Sequence, residues 1–325
     1  KIVVSNWGSA SISVISLDRG IAAEHHRVGL MPYGVVTDGN SAFITEFATG
    51  NVSILNLKTG RQVNRIAVNP FPAGLAITSD RKQLLVTHLF NGDVTSIDVK
   101  TSKVSHIVST GLDISSNQFV AIGPSGDKAY LPQTRSNVDN TALLFDSTVF
   151  PVVNILDLPD LKLMVRDRIT IDTADEPVNM PFSVAISPDE NVVFVANAGS
   201  DDVSVIDQRT DRGVAHISVG ANPRGVAITP DGSRVFVNNV LDGTLSVIDT
   251  DDLIVTQTVD LTDIPLPETI LQGKKIFNSA SEPLLTTDNW ISCATCHFDG
   301  MMDGRTWLGF PDGPRNTPSL LGVNR

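Results

Sequence analysis

The chain has 325 residues, 41% hydrophobic and 18% charged, which is the balance of a globular protein with a sizeable core and excludes general disorder. Its 24 Lys and Arg stand against 36 Asp and Glu, a formal net charge of −12 that argues against a nucleic-acid partner and leaves a basic protein partner compatible. No apolar run reaches the ~18 residues of a membrane helix, and KIVVSNWG lacks a basic stretch leading into an apolar one, so no membrane span and no signal peptide are expected.

From the first residues onward the chain repeats itself. Six segments superimpose: ISVISL, VSILNL, VTSIDV, VNILDL, VSVIDQ and LSVIDT, whose fifth residues are Ser16, Asn56, Asp98, Asp157, Asp207 and Asp249. Ten residues before most of these positions an alternating apolar run ends in a polar residue, giving a column of Asn6, Glu46, His88, Asn197 and Asn239; in the fourth copy it is Gln133. A third recurring segment opens each unit: PYGVVTDG, PAGLAITSD, FVAIGPSGD, PFSVAISPDE and PRGVAITPDG. Each unit reads as four short strands rich in Val, Ile and Thr, separated by Gly, Asp, Asn and Pro turns. A period near 42 with four strands per unit is the pattern of a β-propeller. The run VFVANAGSDDVSVID at 193–207 resembles the YVTN-type propeller repeat, a likeness that spans residues 1–262 and implies a fold, not an activity.

The expected fold is therefore an all-β propeller of four-stranded blades; six are visible, and the resemblance implies about seven. The first unit begins at its second strand, so residues before Lys1 are expected to be missing. The fourth unit is 22 residues longer than the regular repeat: fourteen fall between Gln133 and Asp157, eight between Asp157 and Pro181. Both insertions are expected on the same face as the polar column, where binding loops usually lie. The Asn members of the column read best as turn-closing residues. His88 is a modest candidate for a ligand or partner contact. The Asp- and Asn-rich loop at 137–146 is a calcium candidate without regular ligand spacing.

After Val259 the repeat stops, and residues 263–325 form a second unit. Pro267 and Glu268 suit a first helical turn, and the apolar spacing of Ile270, Leu271, Ile276 and Phe277 predicts a helix over 267–279. The chain's only two cysteines then appear in Cys293-Ala294-Thr295-Cys296-His297. This C-x-x-C-H spacing puts two thiols on one helical turn, where they can add to haem vinyl groups, with the adjacent imidazole as proximal iron ligand. A zinc site lacks a second cysteine pair, and a thioredoxin-like pair lacks its βαβ setting. Haem c attachment implies a periplasmic or extracellular location.

The residues after the motif narrow the resemblance. HFDGMMDGRTW and FPDGPRNTPSLLGV resemble the N-terminal haem region of di-haem bacterial cytochrome c peroxidases, in the branch of the methylamine-dehydrogenase maturation enzyme; the likeness covers about residues 268–325. It implies that Cys293 and Cys296 carry the haem, that His297 binds the iron, and that Arg305 with Arg315, Asn316, Thr317 and Pro318 shapes the pocket. Arg305 and Arg315 are the catalytic candidates, with propionate pairing or surface charge the alternative. No histidine comes after His297, and Met301 and Met302 lie too near it to cross the haem plane. The sixth iron position thus has no evident occupant and is either open to a small molecule or filled by a residue beyond Arg325; the small helical cytochrome c domain is expected to be incomplete, and the resemblance implies a second haem site beyond Arg325.

These features support three readings. In the leading one a propeller recognises a redox protein partner while a covalent haem c transfers electrons. The second is a peroxidase-like oxidoreductase whose open iron meets peroxide or another small oxidant. The third is a surface or assembly propeller with the haem as passenger.

Overall fold

A computed structural model describes residues 1–17, 22–142, 144, 147–158, 160–174, 176–286 and 288–322. The repeats form six antiparallel sheets in chain order around an axis, a six-bladed β-propeller. The first strand of the second sheet packs against that of the third, and the first strand of the fifth against that of the sixth, which places those strands innermost. The second sheet is typical: Pro32–Thr37, Ser41–Glu46, Asn51–Asn56 and Arg61–Ala67. The third, fifth and sixth match it strand for strand.

Burial explains why the second and third strands read as continuous apolar runs such as AFIT, LLVT and VFVA. Each blade is sandwiched between neighbours, so both faces of these strands are covered. The outermost strands have water on one side and are polar along most of their length. Phe43, Leu84, Val86 and Ile97, for instance, form one core between the second and third sheets.

Two sheets depart from the pattern. Among the described residues the first has three strands, Ile2–Asn6, Ser11–Ser16 and Ala22–Arg27, and no innermost one. In the fourth, the insertion after Gln133 is built partly as sheet and not only as loop: Lys128–Ser136 pairs along its whole length with Val149–Asp157. The expectation of about seven blades is corrected to six among the described residues. Residues of sheets one and six, which a regular ring would bring together, both line a cavity.

The repeated polar residues are explained by turns. Asn56, Asp98, Asp207 and Asp249 end third strands and accept backbone N–H groups two or three residues on, closing the hairpin to the outer strand. Thr78–Asp80, Ser187–Asp189 and Thr229–Asp231 are hydroxyl-to-carboxylate bonds within the first hairpin turn. The bond from Thr78 leads the causes that hold the Asp80 carboxyl down at about 2, and that from Thr229 does the same for Asp231.

The column also closes hairpins, by a bond to a hydroxyl seven residues on: Asn6 to Ser13, Glu46 with Ser53, His88 with Thr95, Asn197 to Ser204 and Asn239 to Ser246. Gln133 reaches Asn117, Thr110 and Asn154 instead, because its hairpin is longer. His88 obeys the same rule and is not free to bind a ligand. Its Nδ1–H donates to the Pro70 carbonyl at 3.1 Å, its Nε2 accepts from the Thr95 hydroxyl at 2.8 Å, and the ring is fully buried. In the loop at 137–146, residues 143, 145 and 146 lie outside the described residues. Its Asn137 and Asn140 amides donate to Ser147, which closes the loop.

Candidate functional site

Chemistry-bearing residues converge on the propeller face where the second strands end. Four residues there hold left-handed backbone before a strand-opening proline: Met31, Phe71, Met180 and Asn222, with φ between 54° and 56°. Such φ is costly for a side chain with a Cβ and is held here by the turn bonds around it. It turns Met31, Phe71 and Met180 onto the face, beside Phe47, Leu89, Phe182 and Ala198, as an apolar floor.

Residues 263–322 lie over this floor. The helix arrives as Glu268–Asn278, within one residue of expectation at each end, and its Lys275 bonds Asp242 of the sixth sheet at 2.6 Å. The C-x-x-C-H motif forms a single helical turn, Cys293–Cys296. Ser292 caps it, its N–H donating to the Thr295 hydroxyl at 2.9 Å. Ala294, Phe298 and Met301 are buried in the floor, so the two inner residues of the motif face the propeller while Cys293 faces out. Met301 is thus a packing residue.

Polar contacts fix the turn on its seat. Asn179, from the second insertion of the fourth unit, donates from Nδ2 to the Trp290 carbonyl at 3.0 Å and to the Thr295 hydroxyl at 2.9 Å. Its Oδ1 accepts from the Ser292 hydroxyl at 3.0 Å. Arg224 clamps Asp299 with both terminal nitrogens at 3.0 and 2.6 Å and stacks over Phe182 and Phe298. Asn179, Arg224 and Asp299 escaped the sequence reading. The only signal was that Asn179 sits in the inserted stretch DEPVNM.

The candidate site residues are placed unequally. Cys293, Cys296 and His297 come together on one turn, with both thiols free. Burial, reinforced by the Asp303 carboxylate, pushes the Cys296 thiol up to about 12. Asp303 is buried and also accepts from the Arg305 N–H at 2.9 Å and the Trp307 indole at 2.7 Å. The Arg305 guanidinium turns away, onto the carbonyls of Leu112 and Ile114 in the fourth sheet. Arg315 pairs with Asp312, Asn316 accepts from Thr306, and both are exposed, as is Pro318. Arg315 and Asn316 therefore lie on a surface hairpin, Thr306–Trp307 with Arg315–Asn316, and Pro318 just beyond it.

Beside the turn lies a cavity of about 1000 Å³, walled by Trp7 and Tyr33 of the first two sheets, Phe182, Arg224, and Phe277 and Met301 of the tail. Burial raises the Tyr33 phenol well above its ordinary value, so it remains protonated. Phe277 joins this cavity to the motif, its ring centroid 6.5 Å from that of His297. Neither cysteine nor His297 lines it. His297 Nδ1 is buried without a hydrogen-bond partner. Among the described residues no group of three or more His, Cys, Asp or Glu is placed to hold a metal ion. No described helix is long and apolar enough to cross a membrane.

No protein-family model matches the chain, and no curated protein matches it. Solved structures do. The chain is similar to a hydrazine synthase structure from Kuenenia stuttgartiensis at 15% identity and a TM-score of 0.54, over 76% of this chain and 92% of that one. It is also similar to a functionally unknown protein from Desulfotomaculum acetoxidans DSM 771 at 15% identity and a TM-score of 0.61, over 79% and 78%. At that identity the likeness shows a β-propeller and nothing finer.

Proposed function

We propose that the chain is an extracytoplasmic c-type cytochrome in which the propeller presents a haem-bearing turn to a redox protein partner. The observation that carries this reading is the turn itself. Two free thiols three residues apart and an imidazole next to the second occupy one capped helical turn, with the first thiol at the surface. That donor set fits haem c. His297 Nδ1 is buried without a partner, so the ring has a nitrogen left over for a ligand. Cys293 and Cys296 would hold the group by thioethers and His297 would bind its iron; once bound, it would supply one-electron chemistry. The propeller's part is to bury the back of the turn and shield the Cys296 side, while the acidic surface suits a basic partner. Asp303 does not depend on the thiol, since Arg305 and Trp307 also bond its carboxylate.

A peroxidase-like activity is the second reading, and one observation favours it. Met301 is turned into the floor, which removes the nearest soft ligand from the open side of the turn. Arg305 carries less of this reading than the sequence suggested, because its guanidinium bonds propeller carbonyls.

The test is to produce the chain with haem-attachment machinery, then measure its intact mass and visible spectrum before and after peroxide. One haem gained, with a low-spin spectrum unmoved by peroxide, supports the electron carrier. A high-spin ferric spectrum that changes with peroxide supports the enzyme. A chain that emerges with both thiols free overturns both.

A further inference from the structure

We propose that Asn179 is a positioning residue, which from the inserted segment of the fourth unit holds the Cys293–His297 turn in the shape that haem attachment requires. Its importance for haem rests on the function proposed above; its geometry does not. The floor under the turn is apolar, and apolar contact is non-directional. Ala294 and Phe298 could slide or rotate on it at little cost. Asn179 supplies the missing direction. Its amide is both donor and acceptor, and all its side-chain bonds go to residues 290–295: Trp290, Ser292 and Thr295. The side chain is 1% exposed, so water cannot replace those bonds without moving the turn.

The anchor is itself anchored. The Asn179 N–H donates to the Ser200 hydroxyl, its carbonyl accepts the Gly199 N–H at 3.0 Å, and the Met180 carbonyl accepts the Ala198 N–H at 2.8 Å. A Cβ on residue 199 would collide with the Asn179 amide, which explains a glycine there. The Gly199 carbonyl accepts from the Ala280 N–H, tying the same corner of the fifth sheet to the end of the tail helix. The eight-residue insertion between Asp157 and Pro181 thereby gains a use: it carries a receptor for the motif.

The test uses the full chain made without haem-attachment machinery, so that both thiols are free, and tracks alkylation of each cysteine by iodoacetamide. Cys293 is exposed and serves as internal reference, whereas Cys296 is shielded. Asn179→Ala should raise the ratio of Cys296 to Cys293 rates by about tenfold, the effect of losing one or two net hydrogen bonds. Ser292→Ala, on the tail side where it cannot disturb the propeller, should raise it less and be non-additive with Asn179→Ala. Asn179→Asp keeps the acceptor but loses the donor to Trp290. Its ratio should exceed that of the unsubstituted chain at pH 8 and return towards it as the new carboxyl takes up a proton, a pH profile that lost packing alone would not give. Ratios that stay at the unsubstituted value in all three variants, with circular dichroism showing folded sheets, overturn the proposal. The haem reading fails separately, if the matured chain carries no haem.

Discussion

The propeller and the tail bury their side chains by opposite means. In the sheets, each apolar strand meets a neighbour of the same design, and each recurrent polar residue finds its partner within its own hairpin, as Asn197 does with Ser204 and Asn239 with Ser246. In residues 263–322 the buried apolar side chains of the motif and the residues just after it, Ala294, Phe298 and Met301, have their cover from the propeller floor. Ile270 and Ile276 on the helix remain exposed. The sheets fix their own structure, whereas the tail takes its shape from the surface beneath it.

The sharpest way to break this comparison is one substitution made in both regions. Phe43 in the second sheet and Phe298 in the tail are both 2% exposed. Truncating either to alanine should cost about 3–5 kcal/mol. Phe43→Ala should lower the melting temperature of the whole chain. Phe298→Ala should instead release the tail, read as faster proteolysis around 282–289, with the propeller's melting temperature nearly unchanged. Equal losses of melting temperature would mean that the regions unfold as one unit.

A smaller effect is expected at the seam. Arg224→Met keeps a stem over Phe182 and Phe298 and removes the pairing with Asp299. Asp299 is partly exposed, so the loss should be about 1 kcal/mol after solvent screening. The measurement is tail proteolysis at two salt concentrations. The unsubstituted chain should be salt-sensitive and the variant not; equal sensitivity would move the salt effect elsewhere, for example to Lys275 and Asp242.

Sequence and structure agree most where the repeat supplies its own control. Five strand-opening segments and six third strands in register gave the blades, and the Asp-ended turns are legible because one local bond accounts for each. The turn Cys293–Cys296 and the helix Glu268–Asn278 were legible because their signals are short-range. What stayed hidden was long-range. Asn179 lies more than a hundred residues from Ser292, and nothing in DEPVNM shows that the motif will come to rest there. The partners of Arg305 were hidden for the same reason, since the Leu112 and Ile114 carbonyls are contacts that no motif reveals. His88 looked exceptional only as a residue type. Its geometry is that of its column.

That column provides the smallest and most specific effect. Burial is the leading cause that lowers the pKa of His88 below 6.5, because the ring would have to carry charge where there is no water. The folded chain then binds fewer protons than the unfolded one just below pH 6.5. The contribution is therefore complete above that pH and is lost as pH falls towards the folded pKa. Asp201 acts in the opposite sense: burial raises it to about 6, so its contribution is present below the ordinary carboxylate range and lost as pH rises through about 6. His88→Asn, which puts in this unit the residue that Asn197 and Asn239 supply in theirs, should keep the bond to Thr95 and lose that to Pro70, at a cost of about 1 kcal/mol at pH 8. Below pH 6.5 the variant should lose stability less steeply than the unsubstituted chain, by urea unfolding across pH 5 to 8. Asp201→Asn should change the same profile only towards higher pH, where the unsubstituted chain bears the buried charge. Parallel profiles for His88→Asn and the unsubstituted chain would mean that His88 takes up its proton as readily in the folded chain as in the unfolded one, and that the column is not the dry, self-contained element that separates the propeller from its tail.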